Sequence, residues 1–438
     1  MQLVTSFTQF IQPLAAEFSR PGFAKLQILL VGWIFAGRRT VTAMLIAAGV
    51  AGQRHHSAFH RLFAKDHWSC DAVGLRIFEM IRQRLPDDQP IRLSLDDTLA
   101  RKKGPKVYGA GMHHDPQLSS RSKTVTVWGH SWVTLCVLVR LPFCKQRTFS
   151  LPVLMRMYLN NNASKKARRA YRTRPELGVE MLGVLCERFP HQRFSVAADS
   201  AYGGQSVLLN LPDNCELTSR MGLNARLYGP VPPRKAGTNG RPRKRGDRLP
   251  SPDTMLNERA ARRIELMIYG RKDRLRIVCA EARVYAAPDR PLRVVAVEAL
   301  SGGRGREVFY STDLSLTAEQ VLEHYAQRWS IEVTFRDAKQ SLGFDQPQGW
   351  SRQAAWRTAP VALWLYTLIV LWFDAAGHRS YRQVRRPWYP QKSRASFADM
   401  LRTLRRESIR ATLLPTPLSG AGSRKVMRIV DTTLGAAA

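Results

Sequence analysis

Apolar positions follow two rhythms along this chain. Up to about residue 88 they recur at helical spacing: Ala24–Phe35 is almost uniformly apolar, Val41–Ala48 is a short apolar run stopped at Gly49, and a further helix is predicted over His55–Phe63. Beyond that point the pattern turns strand-like. Arg92–Leu95 alternates and is expected to end at Asp96-Asp97-Thr98, while Val125–Val139 is rich in Val, Thr and Trp and predicts a strand or a hairpin. Basic helical sequence covers Ser164–Arg188, followed by a buried-type strand at Phe194–Ala198 ending on Asp199 and another at Cys215–Ser219. Strands interleaved with helix define an α/β class, and two of them deliver an aspartate at the carboxyl end, where open α/β sheets place their chemistry.

Residues 229–252 carry Pro, Gly, Arg and Lys with almost no apolar content, which predicts a surface loop. Short strands resume at Ile264–Ile268, Leu275–Val278, Val284–Ala286, Leu292–Val297 and Val308–Tyr310, the pattern of a small antiparallel sheet inserted into the main fold. A long helix is then predicted from about Leu316, capped by Ser315 or Thr317, through Lys339, and an apolar helix follows over 358–373. The chain therefore divides into an N-terminal helical domain (1–88), an α/β domain in two parts (89–220 and 315–376), an inserted β subdomain with a basic loop (221–314) and a basic helical tail (377–438). That tail, with Trp388 and Tyr389 among its arginines, is a candidate dimerisation region.

Charge sharpens this picture. The chain has 68 Lys+Arg against 34 Asp+Glu, a net charge of +34, and so large an excess calls for a polyanionic partner, nucleic acid first. A membrane is disfavoured: the longest apolar run, Thr358–Phe373, is shorter than the ~20 residues of a spanning helix. The N-terminus lacks a charged segment followed by an apolar one, and the six cysteines include no CxxC pair, so neither secretion nor a disulfide or zinc framework is expected. The chain reads as cytoplasmic and bound for nucleic acid. With this charge, the helix–glycine turn–helix near residue 49 resembles a helix-turn-helix, making 1–88 a candidate DNA-binding domain as well as a plain helical packing unit. Two basic stretches are candidate phosphate contacts: Arg101, Lys102, Lys103 and Lys106, and the loop bearing Arg234, Lys235, Arg241, Arg243, Lys244, Arg245 and Arg248. His113-His114-Asp115 lacks a further ligand at metal-binding spacing, and Trp128, His130 and Trp132, on one side of a strand, read as core.

Four functional groups share one predicted helix. Tyr325, Arg328, Glu332 and Lys339 fall within about 60° of each other at 100° per residue. A solvated amphipathic face would look similar, but Trp329 and Phe335 flank the stripe and an apolar helix follows, which points to a cleft. Three carboxylates from distant segments, with oxygen donors suited to Mg²⁺ or Mn²⁺, are what two-metal phosphoryl transfer requires.

The spacing Tyr-x2-Arg-x3-Glu-x6-Lys, met by Tyr325, Arg328, Glu332 and Lys339, resembles the YREK signature of DDE transposases from bacterial insertion sequences. The upstream DDT at 96–98 and ADSAYG at 198–203 are similar to the surroundings of that family's first two catalytic aspartates. The resemblance covers roughly residues 90–375. It implies an RNase H-like mixed sheet flanked by helices and interrupted by an inserted β subdomain. It implies two divalent ions held by Asp97, Asp199 and Glu332, with Asp97 favoured over its neighbour Asp96 because it immediately precedes the Thr. Tyr325, Arg328 and Lys339 would contact the phosphates of the transposon ends. The expected partners are double-stranded DNA, as transposon ends and target, and a second copy of the chain in a synaptic complex. The expected activity is cut-and-paste strand cleavage and transfer at terminal inverted repeats. The alternatives are another RNase H-like endonuclease or a non-catalytic, transposase-derived DNA-binding regulator. One departure stands out: where hairpin-forming relatives carry a base-stacking Trp, this chain has Glu307, with Phe309 and Tyr310 beyond it.

Overall fold

A computed structural model describes residues 2–433 apart from 116–117, 121, 234–240, 242, 259, 269, 301–304, 385–386, 389, 414–424, 427 and 431. Arg234, Lys235 and Tyr389 thus lie outside the described residues. Strands β1 (Ile91–Arg101), β2 (Gly111–His114), β3 (Thr126–Arg140), β4 (Thr148–Tyr158), β5 (Phe194–Ala198) and β6 (Cys215–Met221) come first. They are followed by β7 (Leu227–Tyr228), β8 (Arg262–Ile268), β9 (Arg271–Val284), β10 (Ala287–Ala299) and β11 (Arg306–Ser311). Among the described residues all eleven belong to one sheet.

The heart of the sheet runs β4-β3-β1-β5-β6. β3 lies antiparallel to both β1 and β4, whereas β5 lies parallel to β1 and β6. A central first strand with a reversed strand on one side and two parallel strands on the other is the RNase H-like arrangement that the sequence resemblance implies. The inserted strands are antiparallel, as their pattern predicts, but they do not close on themselves. β11 pairs with β6, Val308 opposite Met221, so the insertion extends the central sheet. The expected strands at 275–278 and 284–286 are parts of a longer β9–β10 hairpin.

The alternation misses β4 because Pro152 interrupts it. Pro donates no amide hydrogen and is tolerated at an edge, which is where β4 sits, paired only with β3. Register slips between Leu135 and Cys136 of β3, and the carbonyls of Pro152 and Val153 accept hydrogen bonds from Thr367 Oγ1 (3.0 Å) and Trp364 Nε1 (2.9 Å). Both donors come from the helix Arg352–Ala375, which is long and apolar enough to cross a membrane, yet 83% of its most apolar window is buried inside the protein. It is the core helix that Thr358–Phe373 predicts, begun a turn and a half earlier.

The N-terminal helices form as their end signals dictate. Ser19 caps Arg20–Phe35, Thr40 caps Val41–Ala48, and Gly49 at φ 75° ends the latter in the left-handed region open to glycine. Gly32 lets the two helices touch, since a Cβ there would lie 2.2 Å from the Met44 carbonyl oxygen. The end of the first of these helices and the loop after it reach the far end of another, Ser330–Leu342. Trp33 Nε1 donates to the Leu342 carbonyl (2.8 Å) and the buried Arg39 donates to that of Ser341 (2.7 Å), occupying acceptors that a helix end leaves open. The tail helix Phe397–Leu413 packs back on the same region, Arg405 donating to the Ile34 carbonyl at 2.7 Å.

The long helix expected through Lys339 is two helices, Ala318–Gln327 and Ser330–Leu342. Thr317 makes the predicted cap, as a capping box with Gln320. At the junction the backbone tightens to bonds three residues apart, Arg328 N to Tyr325 O and Glu332 N to Trp329 O.

Candidate active site

β1 runs on to Arg101, so its two aspartates stand inside a strand and not at its end. Its parallel pairing with β5 does stop at Leu95 opposite Ala198, and Asp96, Asp97 and Asp199 lie where the two strands part. Because neighbours along a strand point to opposite faces, Asp96 and Asp97 cannot serve the same face. Leu95 packs under Gly178 of the helix Arg174–Arg188, where a Cβ would come within 2.7 Å of Leu95 Cδ2. Ser94 bonds Ser150 Oγ at 2.6 Å on the other face, where Thr334 of the helix Ser330–Leu342 donates to the Ser150 carbonyl at 2.8 Å. Asp96 therefore faces the helix of Glu332, and Asp97 faces the helix of Arg174.

The contacts agree. Asp96 accepts from Arg328 Nη1 at 2.5 Å, and the same guanidinium lies 3.4 Å from Glu332 Oε1 through Nη2. Burial pushes the Asp96 carboxyl up to about 7, with Asp199 and Asp97 adding to the rise and Arg328 opposing it. Burial also raises Glu332, with Arg328 opposing and Asp199 contributing. Asp199 opens the turn Ser200–Tyr202 and accepts from Ala201 N at 2.8 Å. Arg328 thus bridges Asp96 and Glu332, and the charge of Asp199 acts on both of those carboxyls and on Asp97 as well.

Asp97 is spoken for elsewhere. It accepts from Tyr202 Oη (3.0 Å) and Ser131 Oγ (3.3 Å) and pairs with Arg174 Nε (3.2 Å). Arg174, Tyr202 and Ser131 escape the sequence reading; the signal available for them is the parity of β1, which puts Asp97 with Leu95 and Leu99.

The remaining expected site residues divide. Tyr325 is buried, its ring 4.8 Å from that of Phe309 in β11, so it is a wall of the site and not a surface contact. Lys339 is half-buried two turns beyond Glu332, lowered by burial and opposed by Asp345 and Asp115. Lys102 donates to the carbonyls of Asp345 (2.8 Å) and Pro347 (2.9 Å), which commits its ammonium group to the fold and removes it from the free basic surface. Lys103, Arg241, Arg243 and Lys244 are exposed, Arg243 pairing with Asp247 at 3.1 Å. Arg245 lies 4.1 Å above the Tyr285 ring. Glu307 pairs with Arg220 at 2.8 Å. Among the described residues no three His, Cys, Asp or Glu groups converge at metal-binding distance, and Arg328 stands between Asp96 and Glu332.

A central strand carrying acid groups, a second acid after the neighbouring parallel strand and a third on a following helix stand on an RNase H-like sheet. The family model described as DDE superfamily endonuclease matches residues 13–277, and this chain belongs to that superfamily. A second model, described as archaeal putative transposase ISC1217, matches residues 283–365. No curated protein matches. Among solved structures, the cryo-EM structure of the piggyBac transposase synaptic complex with hairpin DNA is similar at 10% identity and a TM-score of 0.40, over 94% of this chain and 75% of that one.

Proposed function

We propose that this protein is a transposase that cuts DNA strands at the ends of its element and joins them to target DNA, using Mg²⁺ or Mn²⁺. Two ions would be held by Asp96, Asp199 and Glu332. The carrying observation is that one guanidinium, Arg328, already bridges Asp96 and Glu332 where β1 and β5 part, with Asp199 close enough to raise both carboxyls. The donor set fits the group: it is all carboxylate oxygen, and two of its members, Asp96 and Glu332, already share a cation. Asp96 is taken in place of the expected Asp97, because strand alternation turns Asp97 away from Glu332, while Asp199 acts on both neighbours. When bound, paired divalent ions supply a polarised phosphate and an activated attacking oxygen. The chain's own part would be to orient: Arg328, freed from the carboxylates, would have the fork geometry to grip a phosphate. Tyr325 and Phe309 wall the site.

A net charge of +34 supports DNA as the partner, with Lys103 and the exposed loop arginines on its backbone. Cut-and-paste movement at terminal inverted repeats, action as a homodimer and a cytoplasmic location complete the reading. The test is to incubate the protein with Mg²⁺ and a DNA fragment carrying the sequences that flank its gene, together with a target plasmid. Cleavage and joined product are expected, and both vanish in D96N, D199N and E332Q. Cleavage without joining would favour a plain endonuclease, and metal-independent binding alone would favour a regulator.

A further inference from the structure

The edge strand β4, the N-terminal helices and the start of the helix Arg352–Ala375 enclose a cleft of about 710 Å³. That lies inside the ~300–1,000 Å³ range of ligand pockets, and none of the carboxylates of the proposed metal site lines it. Two arginines in it are neutralised: Arg156 pairs with Asp71 and Glu180, and Arg172 with Glu180. Two others are not. Arg169 and Arg352 are exposed, have no carboxylate partner among the described residues, and each lies 4.7 Å from the centroid of the Trp356 ring. The cleft floor holds Trp132, only 2% exposed, whose Nε1 has no hydrogen-bond partner; Trp356 Nε1 is likewise buried and unpartnered. A buried N–H without an acceptor is costly, and a ligand offering acceptors would relieve it.

We propose that this cleft is a second nucleotide-binding site, taking one base and its phosphate. Trp356 is the stacking platform, Arg169 and Arg352 hold the phosphate, and the Trp132 N–H meets an acceptor on the base edge. A simple anion would use the arginines and leave the Trp132 indole unsatisfied. A nucleotide satisfies all three features at once, since bases stack on aromatic and guanidinium planes and present ring nitrogens and carbonyls as acceptors. Position favours a nucleotide from a DNA strand. Trp132 stands opposite Thr98 in the β1–β3 register, two residues beyond Asp96, so the floor lies one strand spacing, about 5 Å, from the strand of the aspartates. This inference shares with the proposed function only the substrate class, and it needs no metal.

The experiment is anisotropy of a labelled hexadeoxyadenylate on the full chain, with EDTA and at ~0.5 M salt to suppress the protein's general attraction for phosphate. W356A and the double variant R169A/R352A are expected to bind about tenfold or more weakly, and W356F to bind nearly as the parent does. An abasic hexamer should bind as weakly to the parent protein as hexadeoxyadenylate does to W356A. Competition by free dAMP would identify a site that accepts a lone nucleotide, and its failure a site that requires the strand. D96N should bind normally while losing metal-dependent cleavage, which keeps a failure here distinct from a failure of the catalytic reading. Unchanged binding by W356A and R169A/R352A, or equal binding of the abasic strand, would overturn the proposal.

Discussion

Asn substitutions at two adjacent positions separate a metal ligand from its neighbour. Asp97→Asn keeps the shape of the side chain and an oxygen for Tyr202 and Ser131, but removes the charge that Arg174 faces. The Arg174–Asp97 pair is about a third exposed on the arginine side, at 32%, and 26% exposed on the aspartate side, so screening holds its loss to about 1 kcal/mol. Turning a charged acceptor for Tyr202 into a neutral one removes about another 1 kcal/mol. D97N should therefore melt a few degrees lower, and its cleavage rate should fall about 10–100-fold, the range for groups that support a site from behind. Asp96→Asn deletes a proposed ligand, and since metal chemistry supplies several kcal/mol, cleavage should fall at least ~10³-fold. The assay is Mg²⁺-dependent cleavage of end-bearing DNA, paired with the Mg²⁺-induced rise in melting temperature, which D97N should retain and D96N lose. Parental Mg²⁺ stabilisation in D96N together with its loss in D97N would refute the alternation argument.

Four further outcomes follow from the same geometry. The Asp96 carboxyl, raised to about 7 and so protonated more readily when folded than when unfolded, should make the metal-free protein lose stability as pH rises from about 4 to about 7. Mg²⁺ should then stabilise it more at pH 8 than at pH 5.5, and a pH-independent Mg²⁺ effect would count against that. Lys102→Ala should cost about 1–3 kcal/mol in urea melts by orphaning two carbonyl contacts, while Lys103→Ala should leave stability unchanged and weaken DNA binding; the reverse pattern would exchange their roles. Phe309→Ala should cost about 3–5 kcal/mol and cut cleavage, because it removes the ring under Tyr325. DNA affinity should fall steeply between low and physiological salt, and a flat dependence would remove the phosphate-tracking role of the basic surface.

What the sequence made legible was whatever a local pattern encodes. Phe194–Ala198, the Thr317 cap and the stop at Gly49 are written in a few neighbouring residues, and they form as read. The order of the central strands followed from the family resemblance. What stayed hidden depends on partners far along the chain. The β4 strand is masked by Pro152 and is held by Thr367 and Trp364 from a helix more than two hundred residues away. The facing of Asp96 and Asp97 follows from parity, yet parity alone does not say which face receives Glu332. The stripe from Tyr325 to Lys339 rested on an unbroken helix, and the tightened turn at Arg328 and Trp329 redirects its first half, burying Tyr325 and aiming Arg328 at Asp96.

Trp33 and Arg39 hold the last carbonyls of the helix that carries Glu332. The first ninety residues are therefore not a detachable reading head. Any displacement of the N-terminal helices on a DNA duplex would pull on the far end of a rigid rod whose near end holds one of the three acids. A catalytic fragment trimmed to the sheet would leave that rod untethered, and an N-terminal segment exchanged for that of a related protein would have to bring its own counterparts of Trp33 and Arg39.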